Sequence, residues 1–257
     1  MIRIVFLLRR KPGMSLDDFH RYWRDTHGPL VASHAKHLEI QRYTQSHRLE
    51  DPANGQMQQA RGGMEPEYDG VAELWWDSEE TITNALATSD GQAAGADLLA
   101  DEQRFVDLPN SPLWFNHEYP QINPAPEELV AREKSGIVKL HFPLRFRRDL
   151  DADAARTYWR TQHGPLIRSH AGASGILRYL QVHRFDSALE SELRASRGTQ
   201  VDAYDGHAEV WFDRTVARSG REVAAAGRAA VEDEAKFIDF KRSTMWVGKE
   251  HVLIDRR

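Results

Sequence analysis

The stretch Tyr158-Trp-Arg-Thr-Gln-His163-Gly-Pro-Leu166 nearly repeats Tyr22-Trp-Arg-Asp-Thr-His27-Gly-Pro-Leu30, which lies 136 residues earlier. The same offset relates Tyr68-Asp-Gly-Val-Ala-Glu-Leu-Trp-Trp-Asp77 to Tyr204-Asp-Gly-His-Ala-Glu-Val-Trp-Phe-Asp213. Long matches at one fixed offset are typical of a tandem duplication. We therefore predict two domains, residues 1–119 and 136–257, joined by a linker over residues 120–135 that begins with the proline-rich run Pro120–Pro126.

The composition limits the classes of function. A chain of 257 residues with 40% hydrophobic content can bury two ordinary cores. The net charge of −5, without long runs of one sign, gives no electrostatic footprint for nucleic acid or an anionic membrane. The absence of cysteine excludes disulfides, thiolate chemistry and cysteine-ligated zinc. No apolar run approaches the roughly 18 residues of a membrane span, and the N-terminus is unlike a signal peptide, so we expect a cytoplasmic protein.

Each repeat predicts the same order of elements. Apolar residues 2–9 and 136–144 indicate buried strands, and Ser15 and Asp151 are predicted to cap helices that Gly28-Pro29 and Gly164-Pro165 bend or end. Strands follow at 40–49 and 69–77, a helix at 78–106 and a strand at 111–119; the second copy has strands at 176–185 and 205–213, a helix at 214–238 and a strand at 243–253. The polar segments 50–67 and 186–203, each containing an Arg-Gly pair, are predicted to be functional or mobile loops.

This order, βαββαβ, predicts an α+β fold of two ferredoxin-like modules. Such a sheet carries helices on one face only, so its other face needs a cover, and the sheet of the second copy is the obvious one. We expect an intrachain pseudo-dimer, which could pair further as a homodimer of chains.

Strand alternation separates the two faces of each sheet. Ile4, Phe6 and Leu8 are apolar enough to lie under the helices. The more polar rows are predicted to point into the space between the two sheets and to form a small-molecule cavity there. These rows contain Tyr43, Gln45, His47, Glu73, Trp75, His141, Tyr179, Gln181, His183, His207, Glu209 and Trp211. Because His141 and His207 replace Val5 and Val71, the pattern favours the second half as the active one.

The two copies resemble the EthD family of the dimeric α+β barrel superfamily. The resemblance rests on Tyr-Trp-Arg-x-x-His-Gly-Pro-Leu, then Arg-Tyr and His on the next strand, then Tyr-Asp-Gly-x-Ala-Glu-x-Trp, in this order twice. It implies a barrel of paired sheets and a range of chemistries that includes isomerases, cyclases, dehydratases, monooxygenases and haem-binding enzymes. In similar methylmuconolactone isomerases a helix histidine and strand tyrosine and histidine residues line the site. By resemblance these roles fall on His27, Tyr43 and His47 and on His163, Tyr179 and His183.

The first functional hypothesis is an acid/base enzyme without a cofactor or metal, an isomerase or a lyase of the dehydratase type, acting on a small cyclic, aromatic-derived or polyketide-like metabolite. His183 would act as general base or acid, with His163 as its partner or an oxyanion stabiliser. Tyr179 would donate a hydrogen bond, His207 and Glu209 would tune the histidines, and Gln181, His141, Trp211, Glu73 and Trp75 would contact substrate. The competing structural interpretation is that His27 and His163 bond to backbone where the helix bends, and that Glu73 and Glu209 pair with arginines across the barrel.

Two alternatives belong to other classes. His141, His207 and Glu209 could converge as two imidazoles and a carboxylate, a ligand set that suits iron(II) or zinc. The chain could instead be a non-catalytic module that binds a small molecule or haem.

Overall fold

The computed structural model describes residues 1–125, 129–216 and 218–257. The last part of the predicted Pro120–Pro126 run and one position of the predicted helix 214–238 lie outside these residues. Within the described chain, no helix is both long and apolar enough to cross a membrane.

Eight antiparallel strands form one closed barrel in the order β1-β3-β2-β8-β5-β7-β6-β4. The strands are β1 (Ile2–Leu8), β2 (Arg42–Arg48), β3 (Gly70–Trp76), β4 (Leu113–Ile122), β5 (Ile137–Leu144), β6 (Ile176–Arg184), β7 (Gly206–Asp213) and β8 (Trp246–Asp255). The first half contributes the sheet β4-β1-β3-β2 and the second half β8-β5-β7-β6, and the pairs β2–β8 and β4–β6 close the barrel. The predicted pairing of the two halves within one chain is therefore correct, although β4 extends three residues into the predicted linker.

Nine α-helices lie outside the barrel in the described chain. They are α1 (Leu16–Tyr22), α2 (Gly28–His34), α3 (Pro52–Gln59), α4 (Glu79–Ala87), α5 (Ser89–Phe105), α6 (Ala152–Tyr158), α7 (Gly164–Ser174), α8 (Ala188–Arg197) and α9 (Arg221–Glu234). The predicted caps are confirmed, because Ser15 Oγ accepts from Asp18 N at 3.1 Å and Asp151 Oδ1 accepts from Ala154 N at 2.9 Å.

The first helix of each half does not end at its Gly-Pro pair. A π-helical turn, Trp23–His27 in the first half and Trp159–His163 in the second, joins α1 to α2 and α6 to α7. In the first turn Gly28 N donates to Trp23 O, an i→i+5 bond. A Cβ atom on Gly28 would lie 2.3 Å from Leu253 Cδ1 of β8, so glycine allows the helix to run close against the barrel. Single π turns inside α-helices occur frequently at functional sites.

The polar segments predicted to be loops contain helices α3 and α8. Asp51 and Ser187 cap these helices, because their short side chains accept hydrogen bonds from backbone N–H groups of the first helical turn. Each helix packs on the opposite half: Leu193 of α8 joins the core of the first half, and Met57 of α3 joins that of the second. The loop prediction was wrong because a helix that packs across two repeats derives its stability from tertiary contacts rather than from its own sequence.

The apolar residues form three cores. One core lies between helices and sheet in each half, and a third fills the barrel around Val5, Trp114, Trp211 and Trp246. The predicted helix-facing row Ile4, Phe6 and Leu8 belongs to the first of them. The barrel interior and the two helix–sheet layers are thus separate places in which a site could be built.

Candidate active sites between the helices and the sheet

The polar row of the second strand faces the helices, not the barrel interior. In the register of the sheet Tyr43 lies opposite Leu74, and Leu74 lies opposite Ile4. Directly opposed residues of antiparallel strands point to the same face, so Tyr43 lies on the helix-facing side. The same holds for Tyr179, which is opposite Val210. The prediction that Tyr43, Gln45, His47, Tyr179, Gln181 and His183 point between the sheets was therefore wrong.

The barrel interior is filled by tryptophans and by a network of buried charges. Arg3 pairs with Glu73 at 3.1 Å and with Glu209 at 2.7 Å, and Lys139 pairs with the same two carboxylates at 2.6 and 3.1 Å. Burial and the charge of Glu209 raise the pKa of Glu73. The competing structural interpretation of these two glutamates is confirmed, and the prediction of an open ligand cavity between the sheets is wrong. A void of about 50 Å³ lies in the barrel beside Trp75, Glu209 and Trp211.

His141, His207 and Glu209 do converge, as the sequence predicts, with ligand atoms within 4.8 Å of one another. They are better explained as a hydrogen-bonded chain: Ser46 Oγ lies 2.6 Å from His141 Nε2, and His141 Nδ1 lies 3.0 Å from His207 Nε2. Burial lowers the pKa of His207 to about 3, so both rings fit neutral donors and acceptors. Arg3 and Lys139 already neutralise the carboxylate of Glu209, and these cations oppose a divalent metal. The residues therefore do not fit a metal centre.

Each half has instead a cavity between its helices and its sheet. The first has a volume of about 270 Å³ and the second about 450 Å³. Most of their lining is aliphatic and aromatic, from the rows Ile4, Phe6 and Leu8 in the first cavity and Leu140, Phe142 and Leu144 in the second. An apolar cavity with a few convergent polar groups is the usual form of a small-molecule site.

A histidine at the end of the π turn lines each cavity. His27 Nδ1 lies 2.8 Å from Asp101 Oδ2, and Tyr22 Oη donates to Asp101 Oδ1 at 2.7 Å. The hydrogen bond from His27 lowers the pKa of Asp101, so the aspartate is a carboxylate and His27 Nδ1 must carry a proton. In neutral His27 the Nε2 lone pair is then free, and no partner for Nε2 was found in the described part of the chain. The interpretation that this histidine bonds to backbone was wrong.

The tyrosine predicted from the second strand lines the same cavity. Tyr43 Oη accepts from Trp23 Nε1 and from Gln45 Nε2, both at 2.9 Å. Burial raises the pKa of Tyr43 well above its usual value, so the phenol keeps its proton. Because two donors occupy its oxygen, its own O–H is left to point at a ligand. Gln45 Nε2 also donates to Trp23 O at 2.8 Å, which ties this strand to the π turn.

The second half repeats the arrangement. His163 Nδ1 lies 2.8 Å from Asp233 Oδ2, and Tyr158 Oη donates to Asp233 Oδ1 at 2.6 Å. Tyr179 Oη accepts from Trp159 Nε1 and Gln181 Nε2 at 3.1 Å each. Both halves thus hold the same reactive groups. The reason for preferring the second half is lost, because His141 and His207 line neither cavity.

His47 and His183 line neither helix–sheet cavity. His183 stacks on Trp159 at 4.4 Å between ring centroids, and its Nε2 lies 3.2 Å from Gln181 Oε1. Burial, with Arg156 and Arg160 adding, lowers the pKa of His183 to about 3. Both rings contact the glutamines that bond the tyrosines, and His183 also borders a separate polar pocket of about 420 Å³ with Arg156 and Arg160.

A salt bridge from the opposite half completes each cavity wall. Arg197 of α8 makes two bonds of 2.8 Å to Glu102 in the first cavity, and Arg61 of α3 bonds Glu234 at 2.7 and 2.9 Å in the second. These arginines belong to the Arg-Gly pairs that both copies keep.

Sequence reasoning missed the aspartates and glutamates of both sites. The available signal was the matched pieces Asp101-Glu-Gln-Arg-Phe and Asp233-Glu-Ala-Lys-Phe, each of which ends the long helix of its half. Their acidic pairs repeat, but only the fold shows that the first residue meets a histidine and the second an arginine.

The EthD domain family model matches residues 11–109 and 147–241, one segment in each half. A proposed monooxygenase from Fusobacterium nucleatum has a similar structure, with 6% identity, a TM-score of 0.50, and coverage of 98% of this chain and 93% of that one. Another from Lactobacillus acidophilus has 9% identity, a TM-score of 0.46, and coverage of 99% and 96%. An EthD family protein from Bacillus halodurans has 20% identity and a TM-score of 0.32, and covers 46% of this chain over its whole length. A search of curated proteins gave no match.

Proposed function

The chain belongs to the EthD domain family, and we propose that each of its two helix–sheet cavities is an active site for proton transfer on a small, largely apolar cyclic substrate. The observation that carries the proposal is the His27–Asp101 pair at 2.8 Å and its copy in the second half; His27 lines the cavity, and its Nε2 has no partner among the described residues. The substrate class is a cyclic or aromatic-derived ketone, lactone or polyketide-like compound, and the reaction class is isomerisation or dehydration.

The histidine is the proposed general base. Its Nε2 removes a proton from a carbon next to a carbonyl group, and the Asp101 carboxylate stabilises the imidazolium that forms. A neutral imidazole suits this task because the lone pair on Nε2 can accept the proton. The aspartate also fixes the ring orientation, since Tyr22 holds its second oxygen.

The tyrosine is the proposed stabiliser of the developing enolate. Its O–H donates to the substrate carbonyl oxygen while negative charge accumulates there, in a cavity with mostly apolar walls. The two bonds that Tyr43 accepts from Trp23 and Gln45 polarise its own O–H and strengthen it as a donor.

The imidazolium then returns its proton. Return to a different carbon of the enolate gives an isomer with the double bond moved. Transfer to a departing hydroxyl group releases water and leaves a carbon–carbon double bond, which is the dehydration.

Hydrogen–deuterium exchange tests this proposal without knowledge of the product. Cyclic ketones such as 2-tetralone are incubated with the protein in deuterated buffer, and NMR follows the loss of the proton next to the carbonyl group. We expect exchange above the buffer rate, and a fall of at least about 10²-fold in the double variant His27→Gln/His163→Gln. His117→Gln, a change on the exposed part of β4, is the control and should exchange normally. Equal rates in the double variant and the native protein would refute the assignment of the base.

A non-catalytic binding module is the second candidate, favoured by the largely apolar lining of both cavities. It predicts that ligands bind with unchanged affinity in the double histidine variant and that no ketone exchanges. We also infer that each half is a ferredoxin-like module, which the order βαββαβ and the strand order β4-β1-β3-β2 support.

A further inference from the structure

The two cavities share their polar groups but differ in size. The histidine, aspartate and tyrosine are the same in both, yet the first cavity encloses about 270 Å³ and the second about 450 Å³. The difference therefore comes from the other residues of the walls.

One position on the long helix of each half contributes directly. Asp101 and Asp233 make the same bond to their histidines, and this fixes the register between α5 and α9. Three residues before each aspartate stand Leu98, which lines the first cavity, and Ala230, which lines the second. Leucine is larger than alanine by three carbon atoms, so the first cavity loses volume here.

Helix α4 forms part of the wall of the first cavity and has no counterpart among the described residues of the second half. Ile82 and Leu86 of α4 line the first cavity, whereas the described residues 214–216 and 218–220 between β7 and α9 form no helix. Two further exchanges act in the same direction, since Leu38 and Trp76 of the first cavity correspond to Ser174 and Phe212 of the second.

We propose that the two sites sort ligands by ring number: the first accepts at most two fused rings and the second accepts three, and residues 98 and 230 contribute to the difference. A dry cavity of about 150 Å³ is enough to bind benzene, so the two volumes correspond to roughly two and three such rings. The hydroxyl or carbonyl oxygen of the ligand meets the tyrosine in both sites. This inference rests on the proposed function for the location of the sites but not on turnover.

Calorimetric titration with 2-naphthol and 9-phenanthrol tests the proposal, because these phenols differ by one ring. We expect the native protein to bind two molecules of 2-naphthol and one of 9-phenanthrol. Ala230→Leu should weaken 9-phenanthrol binding at least tenfold while two molecules of 2-naphthol still bind. Leu98→Ala should add a second site for 9-phenanthrol. The control Ala225→Leu makes the same change on the exposed side of α9 and should bind as the native protein does.

Ala230→Leu is the variant least affected by folding defects, because residue 230 lines the cavity and its new side chain extends into open space. Binding of two or of no 9-phenanthrol molecules by the native protein, unchanged binding by Ala230→Leu, or failure of 2-naphthol to bind would each refute the proposal. If the native protein binds two molecules of 2-naphthol and one of 9-phenanthrol but catalyses no ketone exchange, the size difference is supported and the proposed proton transfer is refuted. If both sites catalyse ketone exchange but bind 2-naphthol and 9-phenanthrol equally well, only the proposed size difference is refuted.

Discussion

Arg197, on helix α8 of the second half, bonds Glu102 of the first half through two contacts of 2.8 Å in the wall of the first cavity. Arg61 of the first half does the same for Glu234 in the second cavity. Neither half therefore has a complete cavity wall on its own. Because both halves belong to one chain, the two partners of each salt bridge are always present together and in the same relative position.

Replacing Arg197 by alanine should destabilise the protein and open the first cavity only. The substitution leaves the largely buried carboxylate of Glu102 without its partner, and breaking such a pair costs about 3–5 kcal/mol. Denaturant unfolding measures the loss, and 2-naphthol titration should find one site instead of two. The matched variant Arg61→Ala should remove the other site. Retention of both sites in both variants would contradict the role of the salt bridges as cavity walls.

Replacing Asp101 by asparagine should slow ketone exchange in the first site. Measured in a His163→Gln background, the exchange rate should fall by at least tenfold and by up to about 10⁴-fold, because an amide can hold the imidazole in the wrong tautomer. The Tyr22 hydrogen bond can persist, so stability should change little. Asp97→Asn, an exposed change on the same helix, is the control. A rate equal to that of the background protein would exclude Asp101 as a positioning residue.

Replacing Tyr43 by phenylalanine should lower kcat by about 10²–10³-fold with a small effect on KM, since the phenol acts mainly on charge that develops in the transition state. The same His163→Gln background isolates the first site. Trp23 Nε1 and Gln45 Nε2 lose their shared acceptor, which should cost about 1–3 kcal/mol of stability. Tyr179→Phe should show the same loss of stability with no change in this rate. An equal rise in KM without loss of kcat would indicate a binding role only.

Acid should destabilise the barrel through His141 and His207. Burial lowers the pKa of His207 to about 3, and it lowers that of His141 well below the usual 6.5. Between pH 6.5 and about 3 the unfolded chain binds a proton at His207 that the folded chain does not, and His141 acts in the same direction, so stability falls as pH falls through this window. The slope approaches about 1.4 kcal/mol per pH unit for each ring.

The double variant His141→Val/His207→Val tests this source of acid sensitivity, because valine stands at the matching positions 5 and 71. The groups that face the two rings are Ser46, Lys139, Glu209 and Arg3. Unfolding curves at pH 7 and pH 4.5 should show a smaller difference for the variant than for the native protein. An unchanged difference would assign the acid sensitivity to other groups.

The repeat and the strand patterns predicted much of the fold. The offset of 136 residues identified two halves, the apolar row Ile4, Phe6 and Leu8 identified the helix-facing side of β1, and Ser15 and Asp151 identified helix starts. These features depend on local periodicity and capping, which the sequence carries directly. The helix histidines and strand tyrosines were predicted by family resemblance to be site residues, and these residues line the two cavities.

The face of the Tyr43 row could not be predicted from its polarity. Polar residues can lie under a helix when that helix offers partners, and the π turn exposes the Trp23 carbonyl to Gln45. The fit of Trp23 onto the barrel also depends on Gly70, since a Cβ there would lie 2.5 Å from the indole ring. Neither relation is visible along the chain.

The sequence by itself determined the duplication and the covering of one sheet by the other, because repeated segments need each other to bury their apolar faces; the barrel was predicted from the resemblance to the family. Only the tertiary structure decided where the cavities lie. Asp101 reaches His27 across 74 positions and Arg197 reaches Glu102 across 95, and no local pattern encodes which of several acids or bases will meet. Charges and tryptophans pack the interior of the barrel, and the two larger cavities lie in the helix–sheet layers.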